Sequence, residues 1–441
     1  MAEKTPNHFL TKMKCPVNLE DVDLFSPGAQ EHWYDAYPIL HRESPVHCLP
    51  GEGLSPEQDA YILTKHEDIS AVVRDPERFP PLMSAAIREL AESGVEPETL
   101  ANVNAMTASM VTLRPNMEMW RIHKQELTDP WVGPGASRHQ EMVTRHVGDL
   151  IDNWVDKGAV EFISEFARPL PQRVMASVLG FPIDDIPRLA TWGQAQVKAF
   201  VYGRGHNNIL TEEEIKDQFV LLDGFKDYVQ QQVDEKRHKP QDDMITFLTE
   251  VTYEPLGRKL TDLEVNGVVY AMIIGGLETT QYALEEQAQL ICEHEGLFDR
   301  LKSDRGLIRQ FTEEAMRMRS PTQGLSTRQT SQDEVFQGVK VPAGSTLHLR
   351  WGAANVDPDE FECPFELRLD RKAVTRHLTF SAGPRVCPGA GISRIEQQSA
   401  WNLLLDRLDG MEYAQDNNFL HQPGIMLGTL ALNLKITKAA S

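Results

Sequence analysis

Phe380-Ser-Ala-Gly-Pro-Arg-Val-Cys-Pro-Gly-Ala-Gly391 is the stretch on which the reading of the whole chain turns. Its single cysteine, Cys387, lies in a segment whose glycines (Gly383, Gly389, Gly391) and prolines rule out a long regular element before it. A helical pattern follows at once: Ile392, Ile395, Glu396, Ser399, Ala400 and Leu403 recur at three- and four-residue spacing. Cys387 is therefore predicted to stand just ahead of a helix N-terminus, where unpaired N–H groups and the positive dipole end favour a thiolate over a thiol. Glycines after the cysteine let those N–H groups approach the sulfur unobstructed.

A sulfur held this way could ligate iron, attack as a nucleophile, ligate zinc or simply be a buried structural cysteine. Zinc calls for further Cys or His at short spacing, and the chain has no Cys-x-x-Cys. A nucleophile needs a His base, which sequence does not place. Phe380, Gly383, Arg385, Cys387 and Gly389 resemble the Phe-x-x-Gly-x-x-x-Cys-x-Gly haem-binding signature of the cytochrome P-450 family, with Ser381 where that signature often has glycine. The resemblance implies haem b (iron protoporphyrin IX) as cofactor, Cys387 as its thiolate ligand, and Phe380 beside it.

Composition fits a globular protein: 41% of residues are hydrophobic and 25% charged. No stretch approaches the roughly 20 apolar residues that span a bilayer, and the first residues lack a signal-peptide apolar region. Five scattered cysteines, an odd number, argue against a disulfide framework and for a reducing cytoplasm. A net charge of −21 argues against non-specific nucleic-acid binding. Length alone, 441 residues, suggests two or three domains. The family resemblance implies instead one mainly α-helical domain with small β-sheets, over residues 30–441, after an N-terminal extension of residues 1–29.

A second loaded stretch is 266–284, apolar on most sides and helical by pattern, with Gly275-Gly276-Leu277-Glu278-Thr279-Thr280 inside it. Two glycines in a buried helix cost about 1 kcal/mol each relative to alanine, and Glu278 and Thr279 need partners in an apolar core. The segment resembles the family's Ala/Gly-Gly-x-Asp/Glu-Thr-Thr run over the distal haem face. That resemblance implies a groove for dioxygen at Gly276, a hydroxyl at Thr279 that meets the oxygen, and proton supply by Glu278.

A third motif, Glu313-Glu314-Ala-Met-Arg317, puts Glu314 and Arg317 at i, i+3. By resemblance it is the family's clamp under the haem. The usual third arginine is missing, since Pro364-Phe-Glu-Leu367 replaces Pro-x-Arg-Phe, leaving Arg368 or Arg371 as substitutes. Trp120 and Lys124, at i, i+4 on a helix expected from Met117 to Val132, are similar to the family's Trp-x-x-x-Arg pair on a haem propionate. Lysine is the poorer bidentate partner, and His123 competes for the role. Arg328 and Arg385 match further propionate partners.

Elsewhere the pattern predicts a helix over 30–41, strands at 46–49 and 59–64, a helix at 66–74, another at 87–93, and amphipathic helices over 138–180. Helices at 186–201 and 212–236 would form a mobile lid, with Gly203 and Gly205 as hinges. Pocket candidates, from the resemblance, are Met106, Met110, Val268, Ala271, Met272, Gln323, Leu325, Met426 and Leu427, a mostly apolar wall.

The implied activity is insertion of one oxygen atom of O2 into a C–H bond of a small hydrophobic substrate, by hydroxylation or oxidative demethylation. Electrons would come from a separate ferredoxin and ferredoxin reductase, with Arg368, Arg371, Lys372, Arg376 and Arg394 as a basic docking face. Two other readings remain: a haem sensor, from the Cys-Pro dipeptides at Cys15, Cys363 and Cys387, and a haem-thiolate enzyme using peroxide or catalysing isomerisation or dehydration.

Overall fold

Helix starts are written into the chain by capping residues. The Asn116 side chain accepts from the N–H of Met119, and Thr211–Glu214 and Thr261–Glu264 form reciprocal capping boxes. The computed structural model describes residues 13–82, 92–94, 105–198, 210–324, 326–422 and 424–440. Residues 87–91 of the helix expected at 87–93 and the hinge glycines Gly203 and Gly205 lie outside these residues, as do Leu325 and the Met106 side chain.

In chain order the helices that matter are α1 (Trp33–Glu43), α2 (His66–Arg74), α3 (Ala105–Leu113), α4 (Met117–His123), α5 (Gln140–Asp152), α6 (Pro169–Leu179), α7 (Ile186–Lys198), α8 (Glu212–His238), α9 (Met244–Glu250), α10 (Asp262–Gly276), α11 (Thr279–Glu293), α12 (Leu297–Ser303), α13 (Leu307–Met318), α14 (Trp351–Asn355) and α15 (Ala390–Arg407). Helix α10 lies at the centre, packed on α3, α6, α7, α8 and α9. From Gly267 onward it carries no charged side chain, as a helix running through a protein's centre requires.

The sheets are small. Strands β1 (Val46–Leu49) and β2 (Ala60–Leu63) pair antiparallel. Strands β3 (Ser326–Gln329) and β4 (Thr346–Leu349) complete the sheet, with β4 parallel to β2 and β3 antiparallel to β4. Its apolar face packs with α2 in a separate core of Val46, Leu63, Ile69, Val72, Leu347 and Leu349. On its other side Trp33, Tyr37 and Leu40 of α1 meet Leu49, Ala60 and Ile62. Near the C-terminus β5 (Asn418–His421) and β6 (Thr429–Ala431) form a hairpin.

Two helices differ from expectation. The 266–284 helix is broken: α10 ends at Gly276 and α11 begins at Thr279. The Thr279 hydroxyl donates to the Gly275 carbonyl at 2.9 Å, a side chain occupying the ladder acceptor. The helix from Met117 changes at Lys124 into a π-type turn, 124–128. That turn rotates the residues after Lys124 off the face predicted by 3.6-residue spacing.

Candidate active site

The cysteine loop is held from three sides. Cys387 donates its N–H to the Phe380 carbonyl at 2.9 Å. Gly383, with φ of +70°, is pressed against α2, where a Cβ would stand 2.9 Å from the Val73 carbonyl oxygen. At Gly391 a Cβ would lie 2.1 Å from the Gly133 carbonyl oxygen, so the first turn of α15 rests directly on the 132–133 backbone. Ile392 N–H seals that contact on Val132. Ser381 keeps the left-handed backbone its glycine counterpart would adopt, with φ of +59°, at a cost of about 1 kcal/mol.

Cys387 directly precedes α15, as its surroundings in sequence predict. Burial pushes its thiol up. The N–H groups of Gly389 and Ala390, with the charges of Lys124 and Arg394, act in the opposite direction. The sulfur thus has pre-set donors and cations around it, a setting made for a ligated thiolate.

At Trp120 three arginines gather, Arg114, Arg328 and Arg385. Arg385 lies over the Trp120 ring at 3.8 Å and Arg114 at 4.5 Å. Arg328, 5% exposed, has no partner for its Nε, and Trp120 Nε1 has none either, among the described residues. Burial and the charge of Arg385 push Arg114 and Arg328 down to about 9, and burial alone takes Arg385 to about 10. A guanidinium stays charged at any working pH, so the same energies act as a demand for anions. Two carboxylates beside a planar macrocycle satisfy that demand, and the donor set therefore fits haem. Haem dimethyl ester, with both carboxyls blocked, is expected to bind the apoprotein roughly 100-fold or more weakly than haem. Spectral titration of the two measures this, and Arg328→Met should shrink the difference.

The group differs in membership from the predicted one. Lys124 is near enough for its charge to act on Cys387 and on Asp129. His123 is the one that stacks on Trp120, with centroids 6.4 Å apart. Burial and the Arg114 charge push its imidazole well below the usual range, so it is neutral there. Arg114 was missed because a lone arginine before Pro115 carries no periodic signal.

On the opposite wall, Gly275 faces open space and Gly276 does not. A Cβ at Gly276 would stand 2.7 Å from Met175 Cγ of α6, whereas one at Gly275 meets nothing within 4 Å. The assignment of Gly276 to the cofactor groove is corrected accordingly: it lets α6 approach, and the bare helix surface belongs to Gly275. Thr279 sits at the helix break, and Glu278 Oε2 accepts from the Tyr282 hydroxyl at 2.6 Å.

Of the pocket candidates, Met110 and Val268 are buried and Ala271 and Met272 half-buried along α3 and α10. Met426 is buried against Tyr282 and Ile425. Two others turn elsewhere. The Gln323 amide is taken by Tyr37, Tyr34 and the Ser320 carbonyl, and Leu427 packs into the α1 core with Trp33 and Tyr37. Both are corrected from wall residues to packing residues, since sequence could not show which side of the 321–327 and 425–428 segments faces α1.

Beneath the loop, Glu314 and Arg317 are fully buried and paired at 2.8 and 2.9 Å. Arg371 is the third member, with Nε 2.9 and 3.0 Å from the two Glu314 oxygens. Arg368 contributes only its backbone N–H, at 3.2 Å. The proposed basic face is therefore largely spent. Arg371 is in the clamp, Arg394 pairs with buried Glu313, Arg376 with Glu360, and Arg368 with Glu362 and Asp370. Lys372 is exposed.

Glu313 carries a consequence for acid stability. Burial pushes its carboxyl up, but hydrogen bonds from His377 and Arg394 outweigh it and hold the group at about 2. A carboxyl depressed on folding stabilises fully above its unfolded value near 4.5 and loses that contribution as pH falls towards 2. The amount is on the order of 3 kcal/mol at most. Acid titration of unfolding should therefore be visibly shallower between pH 4.5 and 2 in Glu313→Gln than in the parent.

Solved structures share this helical fold with its small sheets. The structure of P450BioI with a hexadec-9Z-enoic acid-ligated acyl carrier protein superposes with a TM-score of 0.77 at 24% identity, over 92% of this chain and 99% of that one. CalO2 superposes with a TM-score of 0.79 at 22% identity, over 95% and 99%. The Cytochrome P450 family model matches residues 202–436, and the chain belongs to that family. Among its relatives, the polyketide biosynthesis cytochrome P450 PksS of Bacillus subtilis is 25% identical, covering 89% of this chain and 93% of its own. The biotin biosynthesis cytochrome P450 of the same organism is 28% identical, covering 86% and 90%. The protein is thus an oxygen-incorporating oxidoreductase whose cofactor is haem b held through a cysteine thiolate. No helix among the described residues is long and apolar enough to cross a membrane.

Proposed function

We propose that the protein inserts one oxygen atom of O2 into a C–H bond of a small, largely hydrophobic organic substrate, by hydroxylation or oxidative demethylation. Electrons come from a separate ferredoxin and its reductase. The observation that carries this reading is the set of groups on neighbouring elements: Cys387 ahead of α15, the arginines at Trp120, and the helix broken at Thr279, whose neighbour Thr280 bonds Ser393 of α15 at 3.0 Å. When bound, haem supplies an iron centre that activates O2 and abstracts hydrogen from unactivated carbon.

In this reading Cys387 is the iron ligand, with Gly389 and Ala390 N–H groups directed at its sulfur. Arg114, Arg328, Arg385 and Trp120 Nε1 hold the cofactor's carboxylates. Phe380, with its ring under Arg394 at 4.5 Å, braces the loop beside the sulfur. Thr279 holds a proton at Oγ1 and Glu278 resupplies it from solvent. Met110, Ala271, Met272 and Met426 give the substrate an apolar wall and orient it by shape. Relatives and neighbours named for polyketide, biotin and steroid chemistry support a hydrophobic substrate.

NADPH-driven turnover with and without a ferredoxin system, on compounds first selected by binding spectra, tests the proposal. Product that depends on the ferredoxin is expected, with Thr279→Ala diverting reducing equivalents to peroxide. Equal product from peroxide alone, with Thr279→Ala unchanged, would overturn it.

A further inference from the structure

The acid assigned to proton supply does not stand alone on its helix. Tyr282, one turn along α11 from Glu278, is 2% exposed, and its hydroxyl donates to Glu278 Oε2 at 2.6 Å. The phenol ring is in turn pinned by the C-terminal hairpin. Tyr282 forms a buried cluster with Ile425 and Met426, and a Cβ at Gly428 would stand 2.4 Å from Tyr282 Cε1. One turn further, Glu285 Oε2 accepts from the N–H of Thr429 in the same hairpin at 3.0 Å. Three residues at helical spacing, 278, 282 and 285, therefore tie α11 to the segment whose Met426 belongs to the pocket wall.

We propose that Tyr282 is a positioning residue for Glu278, fixing the orientation of its carboxylate and coupling it to the place of the hairpin tip. The inference rests on the reading of Glu278 as the proton-supplying acid and extends it. A hydroxyl donating to a carboxylate stabilises the ionised form and removes rotational freedom about the last side-chain bond. The phenol stays protonated: burial and the carboxyls of Glu278 and Glu285 push it well above its ordinary value, against the weaker pull of Arg168 ahead of α6. Among the described residues these are the titratable groups that act on it, and burial pushes Glu285 itself up to about 8. Met426 and Ile425 pack on the same ring, so a substrate that displaces the tip displaces the hydroxyl, and with it the acid.

Tyr282→Phe removes the hydroxyl and keeps the ring under Gly428. In the holoenzyme, product formed per NADPH is expected to fall roughly tenfold or more, the factor one charge-assisted hydrogen bond carries, with peroxide taking the difference. Substrate binding spectra and the carbonyl absorption of the reduced form stay unchanged. The acid limb of the coupling profile moves to higher pH, because a carboxylate that loses a donor protonates more easily. Glu278→Gln/Tyr282→Phe should be no worse than Glu278→Gln alone, since the tyrosine acts through the acid. An independent readout needs no turnover: the carboxylate infrared band assigned by Glu278→Gln should shift in Tyr282→Phe. An unshifted band, or losses that multiply in the double variant, overturns the proposal. Full coupling in Glu278→Gln would sink the acid reading instead, and the infrared band still decides whether Tyr282 sets that carboxylate.

Discussion

Cys387→Ser is expected to abolish the red-shifted Soret band that the reduced, carbonyl-bound protein shows with a cysteinate ligand, and with it all NADPH-driven oxygenation. The change is nearly isosteric, so the loop's packing on Val73 and Gly133 remains, and unfolding of the apoprotein should move by no more than about 1 kcal/mol. What is lost is electronic. A serine hydroxyl does not ionise at working pH, so the N–H groups of Gly389 and Ala390 and the charges of Lys124 and Arg394 have no anion to stabilise. Spectra of the reduced protein with carbon monoxide, read beside apoprotein melting, separate the loss of the ligand from loss of the fold. An unaltered band in the serine variant would remove Cys387 from the iron.

Glu314→Ala should have the largest effect on folding. One carboxylate, wholly enclosed, neutralises two guanidiniums, Arg317 and Arg371. Without it both cations are buried unpaired, at about 3–5 kcal/mol or more, against a total stability of about 5–15 kcal/mol for a typical protein. The expected outcome is insoluble or haem-free protein. The neighbouring arginines grade the effect. Arg371→Met leaves the Glu314–Arg317 pair intact and should be milder, whereas Arg368→Met removes only surface ion pairs with Glu362 and Asp370 and should cost about 0.5 kcal/mol. Soluble yield and denaturant midpoints of the three variants check the order. Equal losses at Arg368 and Arg371 would refute the assignment of the third clamp residue.

The groups readable in the sequence were those whose chemistry contradicts their local surroundings. A cysteine among glycines before a helical pattern, and Gly275-Gly276 beside Glu278 in an apolar helix, stand out because each is costly without a purpose. The short strands at Val46 and Ala60 and the face shared by Trp33, Tyr37 and Leu40 followed from periodicity. What escaped was whatever depends on a shift of register or on distant chain. The π-type turn that begins at Lys124 rotates the residues after it off the face that 3.6-residue spacing predicts, and no spacing rule announces it. Gly275 and Gly276 are adjacent and identical in sequence, and only Met175, a hundred residues earlier, decides which of them is bare. Gln323 reads as a polar point in a pocket until Tyr34 and Tyr37 are seen to take its amide. The basic segment near Cys387 reads as a docking face until its partners Glu313, Glu314 and Glu360 come into place.

Arg371 does more than complete an ion pair. Its outer nitrogens reach the carbonyls of Glu362, Cys363 and Glu366 at 2.7, 3.3 and 3.2 Å, so the course of that surface segment is dictated by a side chain from outside it. Pro364, Phe365 and Leu367 are thereby relieved of specifying their own path. Drift at those positions can reshape the surface around exposed Phe365 without loosening the buried ion-pair cluster behind it.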